Sequence, residues 1–432
     1  MNSCASNQMT TPTSSFKKWF IVLSAGMYFF YEYIQMTIFN AIPQQLLQSF
    51  HITTFELGKL SASYFIVQLI LLFPAGIFLD RFSIKKIILI AMAISLLGTI
   101  LFSYAHTIQL AMIARSLSGI GGAFAFLCCI KLAAEWMPNK ISFATGVLVT
   151  LAVSGGFFAQ TPFAYLADHT TWRFALKILA AFGVIIWINI ALTVRNQPKT
   201  DFIHHSKSIT HILKDIRCCL NNFQTILVGL YIALMNLPVF LFGALWGGLY
   251  LEKTHHLSNL SATFTSSQIF VGIIVGSPLF GWIAGKYSHQ KKISMLMAAG
   301  FSLAVIILII TVNTNNLVNL SLLFLLLGIF SSAQCIGYPI IIENNKIELA
   351  ATATSIASLI IMGLGAFIKV FYGWILSHAW HTKTSLSLSS YSLHAFQAAT
   401  LILPTGFILA IVVIFLISSN RRPTDRILKQ AE

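Results

Sequence analysis

The sequence predicts an all-α membrane protein: twelve transmembrane helices arranged as two pseudo-symmetric six-helix bundles. Three observations lead there. Of the 432 residues, 57% are hydrophobic and only 9% are charged, where soluble proteins carry about 25% charged residues. Twelve apolar runs, each about 18 residues or longer, can be drawn along the chain. Two loop motifs recur at nearly one spacing. At about 20 residues per span, twelve spans use about 240 residues and leave about 190 for loops and tails, too few for a separate soluble domain. A water-soluble enzyme is excluded.

Residues 1–18 are read as a cytoplasmic tail. The first 16 are polar and uncharged and lack the short apolar region and small-residue cleavage site of a signal peptide. The first span is therefore expected to be retained. Spans follow at 19–42, 57–79, 87–105, 108–132, 142–164 and 173–194, giving an N-terminal bundle over 19–194. The longest polar segment, 195–222, reads as a cytoplasmic linker. A C-terminal bundle over 223–418 then holds spans at 223–250, 263–284, 293–312, 318–342, 350–375 and 394–418, and 419–432 form a second tail.

The net charge of +15 raises nucleic acid as a partner until the basic residues are placed. Nineteen of the 27 Lys and Arg fall on the side of the N-terminus, four on the other face (Lys59, Arg173, Lys253, Lys383) and four inside spans (Arg115, Lys131, Lys177, Lys369). That bias puts both termini in the cytoplasm of a cell whose inner membrane the chain crosses. Anionic lipid accounts for the charge and nucleic acid is not needed. The six cysteines have no C-x-x-C spacing, and two pairs are adjacent residues, so neither a disulfide framework nor a zinc site is expected. No metal or cofactor is expected, and the protein is read as a monomer.

The segment Gly76 to Lys86 (GIFLDRFSIKK) after the second span matches Gly281 to Lys291 (GWIAGKYSHQK) after the eighth, 205 positions later. Asn139-Lys140-Ile141 recurs as Asn345-Lys346-Ile347 after 206 positions. Six spans later the chain faces the same way, so the halves read as parallel repeats about an axis along the membrane normal.

Gly76 to Lys86 resembles the loop signature of the major facilitator superfamily, G-x-x-x-D-R-x-G-R-[KR], and Arg115, Gly119 and Gly121 resemble its R-x-x-x-G-x-G motif. Ser83 and Ile84 stand where that loop has Gly and Arg. The Gly-Pro signature of drug/proton antiporters is missing, because Gly155-Gly156 is followed by Phe157. Phe30 to Tyr33 and Leu245 to Tyr250 are similar to segments of bacterial nutrient importers, including the phagosomal transporter group. The resemblance implies secondary transport, with the first, fourth, seventh and tenth helices lining a cavity.

Charges inside a span are costly, so each is a functional candidate. Glu32 is the one deep acid. It lies about 20 Å into the first helix from the cytoplasmic face, about 10 Å below the outer face of a core of about 30 Å. Arg115 lies about 10 Å down from the outside. The two share a level, as a proton-coupling pair or as a structural ion pair. Lys131 reads as an i,i+4 partner of Glu135, and Lys369 and Lys177 as side chains that snorkel to an interface. Membrane-hydrolase motifs such as H-E-x-x-H and G-x-S-x-G do not occur. Tyr28, Gln35, Tyr231, Asn236, Trp246, Gln334 and Tyr338 are the candidate cavity residues, with Gln160 and Gln268 weaker. Glycines 76, 119, 121, 122, 155, 156, 363 and 365 are expected where helix backbones approach closely.

The expected function is alternating-access transport of a small polar or amphipathic solute, with Glu32 taking up and releasing a proton and import favoured. Uniport, exchange or export by the same fold remains open, as does a membrane sensor that never translocates. On the cytoplasmic side, Asp80 is expected to face the start of helix 11 near Ala350, Ala351 and Thr352. Its charge would meet that helix's free N–H groups, Gly76 would permit close approach, and Arg81 and Lys85 would tune this cytoplasmic gate.

Overall fold

The structure, a computed structural model, describes residues 15–195, 217–286, 290–311, 316–345, 349–378 and 393–417. In chain order the spans are α1 (Ser15–Thr37, continued by a 3-10 turn, Ile38–Ala41), α2 (Thr54–Arg81), α3 (Ile84–Ser103) and α4 (Ile108–Trp136), then α5 (Ile141–Phe158 and Thr161–His169) and α6 (Trp172–Thr193). After the linker come α7 (Phe223–Met235, Val239–Gly243 and Gly247–Thr254), α8 (Asn259–Lys286) and α9 (Lys291–Thr311). The last three are α10 (Leu317–Ser331, Ser332–Ile336 and Gly337–Glu343), α11 (Ala350–His378) and α12 (Leu393–Thr400 and Ile402–Leu416). Most of the expected linker, residues 196–216, lies outside the described residues, as do most of the two tails and part of the second repeat marker, Lys346-Ile347.

Ten of these elements are long and apolar enough to cross a membrane. The other two are α1, which carries Lys17, Lys18 and Glu32, and α7, whose longest regular piece is Phe223–Met235. The spans overrun the apolar runs because polar residues outside the runs cap them. Thr53 and Glu56 form a reciprocal capping box ahead of α2. Side chains of Ser83, Thr107, Thr171, Asn222 and Asn316 accept first-turn N–H groups of α3, α4, α6, α7 and α10, each cap contributing about 0.5–2 kcal/mol. A short helix, Pro43–Phe50, fills the connection between α1 and α2, where no element is expected from the sequence.

The repeat extends to helix length. Both α2 and α8 have 28 residues, their first and last residues are offset by 205 positions, and each contains one proline, Pro74 or Pro278. The halves meet along two seams, α2 against α11 and α5 against α8. Large apolar side chains such as Ile90, Phe143, Ile185, Val412 and Phe415 stay exposed on the outside, where lipid rather than water is their natural contact.

Candidate functional site

Three spans are interrupted at one level, and the interruptions expose backbone to side chains. Pro238 has no N–H to continue the ladder of α7, and the next residues take a π-helical turn, Val239–Gly243, with Trp246 N–H donating five residues back to Leu241 O at 2.7 Å. Such turns leave carbonyls seeking other donors. Gln160, at the break in α5, donates from Nε2 to Gly243 O at 2.8 Å and to Thr37 O at 3.3 Å. Asn40, in the 3-10 end of α1, donates to Gln160 Oε1 at 2.7 Å and accepts from Gly248 N at 2.8 Å. Asn40 and Gln160 are completely buried. Four neutral partners therefore tie the first bundle to the second on the face away from the chain termini.

Toward the centre lies the charged cluster. Glu32, 2% exposed, is the one fully buried acid among the described residues. Tyr64 of α2 donates to its Oε2 at 3.2 Å, whereas Oε1 lies toward Ser95 and Gly121, where a Cβ would come within 2.7 Å of it. Arg115, also 2% exposed, does not bond Glu32 directly. It donates from Nη1 to Gln35 O at 3.0 Å, and its Cζ sits 4.4 Å from the Phe39 ring centroid and 5.0 Å from that of Tyr64. Tyr64 thus stands between the two, its hydroxyl on the carboxylate and its ring face on the guanidinium. The structural ion pair open in the sequence is replaced by this relay, because a tyrosine on a third helix fills the space.

Lys369 departs from expectation. Instead of snorkelling it is wholly buried where α11 crosses α2, its Nζ 3.4 Å from Ser61 Oγ and 3.9 Å from the Phe65 ring centroid. Lys131 donates to Leu79 O at 2.5 Å, tying α4 to the end of α2.

The other expected cavity residues divide. Tyr28 donates to Gly121 O at 2.5 Å, Tyr231 to Ala333 O at 3.2 Å and Trp246 Nε1 to Lys369 O at 3.2 Å. Gln35 turns its amide to Tyr31 and Thr99. These four are buried and engaged in packing. Asn236, which bonds Ile232 O of its own helix, and Gln334 and Tyr338 remain partly exposed in mid-span. Tyr338 lies near enough to Tyr33 of the opposite bundle for the two to interact electrostatically, which places both beside the space between the bundles.

No described atom lies within 4 Å of a Cβ built on Gly76, Gly146, Gly281 or Gly285, and the side chains at 350 and 351, which Gly76 is expected to meet, lie outside the described ones. A Cβ on Gly58 would come 2.8 Å from Lys369 O, and one on Gly373 2.5 Å from Thr54 O. The α2–α11 seam is thus tight away from the termini, and among the described atoms it is open at Gly76. Gly119, Gly122 and Gly155 press against Tyr64 or Phe30 as expected of close helix contacts, and Gly363 meets only Leu69, at 3.9 Å. The side chains of Asp80 and Arg81 lie outside the described ones. Lys85 donates to Ala191 O at 2.7 Å, a contact within its own bundle.

Beyond the neutral ties, a polar rim closes the same face. Gln44 donates to Glu252, while Asp168 accepts from Gln45 at 3.1 Å and, through its two oxygens, from Asn259 at 3.0 and 2.9 Å. Residues missed in the sequence, Asn40, Tyr64 and Ser61, share one weak signal: a polar side chain inside or beside an apolar run, which wants a partner there.

With the geometry in place, comparisons with known proteins become informative. The model of the Major Facilitator Superfamily matches residues 24–370. Membrane sensor protein UhpC of Salmonella typhimurium is 21% identical over 291 residues, 63% of this chain and 66% of that protein. Putative transporter AraJ of Escherichia coli is 23% identical over 220 residues, 50% of this chain and 53% of that protein. The chain thus spans between half and two thirds of the length of these curated relatives. A crystal structure of a bacterial homologue of the human lysosomal transporter Spinster, inward-facing and unoccupied, superposes with a TM-score of 0.75 at 16% identity, covering 94% of this chain and 97% of that one.

Proposed function

Because the chain belongs to the Major Facilitator Superfamily, we propose that it is a secondary active transporter that moves a small solute by alternating access, with Glu32 as the proton carrier. The observation that carries this reading is the asymmetry of closure. Hydrogen bonds and backbone contacts join the bundles on one face, whereas toward the other no described atom approaches Gly76, Gly281 or Gly285. A protein that binds between its halves and releases to alternate sides needs contacts of this kind, which form and separate as a unit. Glu32 sits between them, 2% exposed, and a buried carboxylate at the level of the seam is suited to exchange a proton as its surroundings change. The basic-residue bias supports cytoplasmic termini; on that reading this is a form open to the cytoplasm, in the cell's inner membrane, and import is the favoured direction.

The test is uptake by the purified full chain in vesicles under an imposed proton gradient, screened over amino acids, nucleosides and organic anions. Glu32→Gln is expected to abolish uphill accumulation while tracer exchange down a gradient continues. Uphill uptake at the parent rate in that variant would remove Glu32 from the mechanism. A second reading, substrate sensing without translocation, draws support from the name of the UhpC relative. Specific binding with neither uptake nor exchange of the bound solute is the result that favours it.

A further inference from the structure

Lys369 is the buried charge that proton coupling leaves unused. It comes from the second bundle, and Arg115 comes from the first. They flank adjacent residues of α2: the Arg115 guanidinium lies by the ring of Tyr64 and the Lys369 ammonium over that of Phe65. Those two rings stand 5.4 Å apart, edge to face, so the two cations border one aromatic pair. Among the described residues neither has a carboxylate within salt-bridge distance. Lys369 has only Ser61 Oγ at 3.4 Å, and Arg115 leaves Nε and Nη2 unpartnered although the residue is 2% exposed.

Arg115 and Lys369 set two buried cations against the single carboxylate of Glu32, and a buried surplus of positive charge is unfavourable unless an anion offsets it. Nε and Nη2 form one edge of the guanidinium, the fork that takes two oxygens of a carboxylate or phosphate in parallel hydrogen bonds. Resting on the transporter reading above, we propose that the solute is a small organic anion, a carboxylate or phosphate ester, clamped between Arg115 of the first bundle and Lys369 of the second.

The charge arithmetic agrees with proton coupling. Arg115 and Lys369 with ionised Glu32 give the empty cluster a net charge of +1. One proton on Glu32 and one monoanion on the clamp leave it at +1, so the loaded and empty carriers present the same net charge to the membrane. The site also joins the machinery to the cargo. An anion held by both cations pulls α4 and α11 together, so binding itself favours a form closed around the solute.

The experiment uses the purified full chain, with succinate, benzoate, glycerol 3-phosphate and inorganic phosphate as probes, succinamide and glycerol as neutral controls and choline as a cationic one. At least one anion is expected to raise the unfolding temperature and to bind at least 100-fold more tightly than its neutral counterpart. Arg115→Gln and Lys369→Gln should each weaken that binding tenfold or more, and Arg115→Lys less. Lys369→Met, which keeps the length of the side chain without its charge, supplies a second folded variant if one of these fails to fold. Competition between succinate and glycerol 3-phosphate assigns the head group. No stabilisation by any anion, tighter binding of a neutral or cationic probe, or unchanged affinity in folded Arg115 and Lys369 variants would overturn the proposal. Anion binding without uptake would keep the site and remove the transport reading. Uptake of a neutral solute indifferent to anions would do the reverse.

Discussion

Tyr64 places its hydroxyl on one charge and its ring on another. Its hydroxyl donates to Glu32, and hydrogen bonds to charged groups contribute about 1.5–3 kcal/mol. Tyr64→Phe keeps the ring by Arg115 and removes only the donor, so it is expected to lower stability by about 1–3 kcal/mol, read as a lower unfolding temperature. If the loss arises through Glu32, it should shrink when Glu32 is already Gln. Additive losses in that double-mutant cycle would mean the two side chains do not communicate. Depth counting finds Glu32 and Arg115 in the sequence because charges inside apolar runs are rare. It misplaces Lys369, since nearness to a helix end does not reveal that a second helix covers that end. It passes over Tyr64 because an uncharged tyrosine among 12 tyrosines carries no distinguishing pattern.

The polar rim holds a group whose environment changes with closure. Glu252 lies past the apolar stretch of α7, beside Gln44 and Asp168, and burial pushes its carboxyl up from 4.5 to about 7, with Lys253 opposing and Asp168 adding to the rise. In a form open on this face Glu252 is hydrated and returns toward the ordinary value. The closed form therefore binds the proton more tightly: its advantage is full below about pH 4.5 and is lost as pH rises to about 7. Labelling of a single cysteine replacing Ile42, which lines this rim and is buried in the closed form, should increase across that pH window. Glu252→Gln should flatten the response, and a persisting pH step in that variant would assign it to another group. At the scale of elements the sequence is informative: helical elements stand at the twelve apolar runs, ten of them long and apolar enough to cross a membrane, and the 205-residue offset recurs in α2 and α8. The breaks in α5 and α7 are not anticipated. Gln160 and Pro238 are visible, but the partners that make an interruption favourable come from 83 to 208 residues away.

Across the whole molecule, the proposed cycle makes the α2–α11 seam the contact that sets which face is open. A side chain at Gly373 would meet the Thr54 carbonyl at 2.5 Å and the Trp246 ring at 3.0 Å, and neither a backbone oxygen nor a buried indole can retreat cheaply. Gly373→Leu is expected to prevent closure on that face. An impermeant maleimide added from the side away from the termini should then label a single cysteine at Ser61 several-fold faster than in the parent, and equal rates would show that the seam does not control access. The deeper ties at that face have a further consequence. Asn40, Gln160, Gly243 and Gly248 are joined as neutral dipoles. Dissolved salt weakens attraction between charges over about 8 Å under physiological conditions, and an elementary charge crossing 100 mV does about 2.3 kcal/mol of electrical work. A seal without net charge responds to neither. In the cycle proposed above, any sensitivity to salt or voltage would therefore come from the rim acids Glu252 and Asp168 and from the buried charged cluster rather than from these ties.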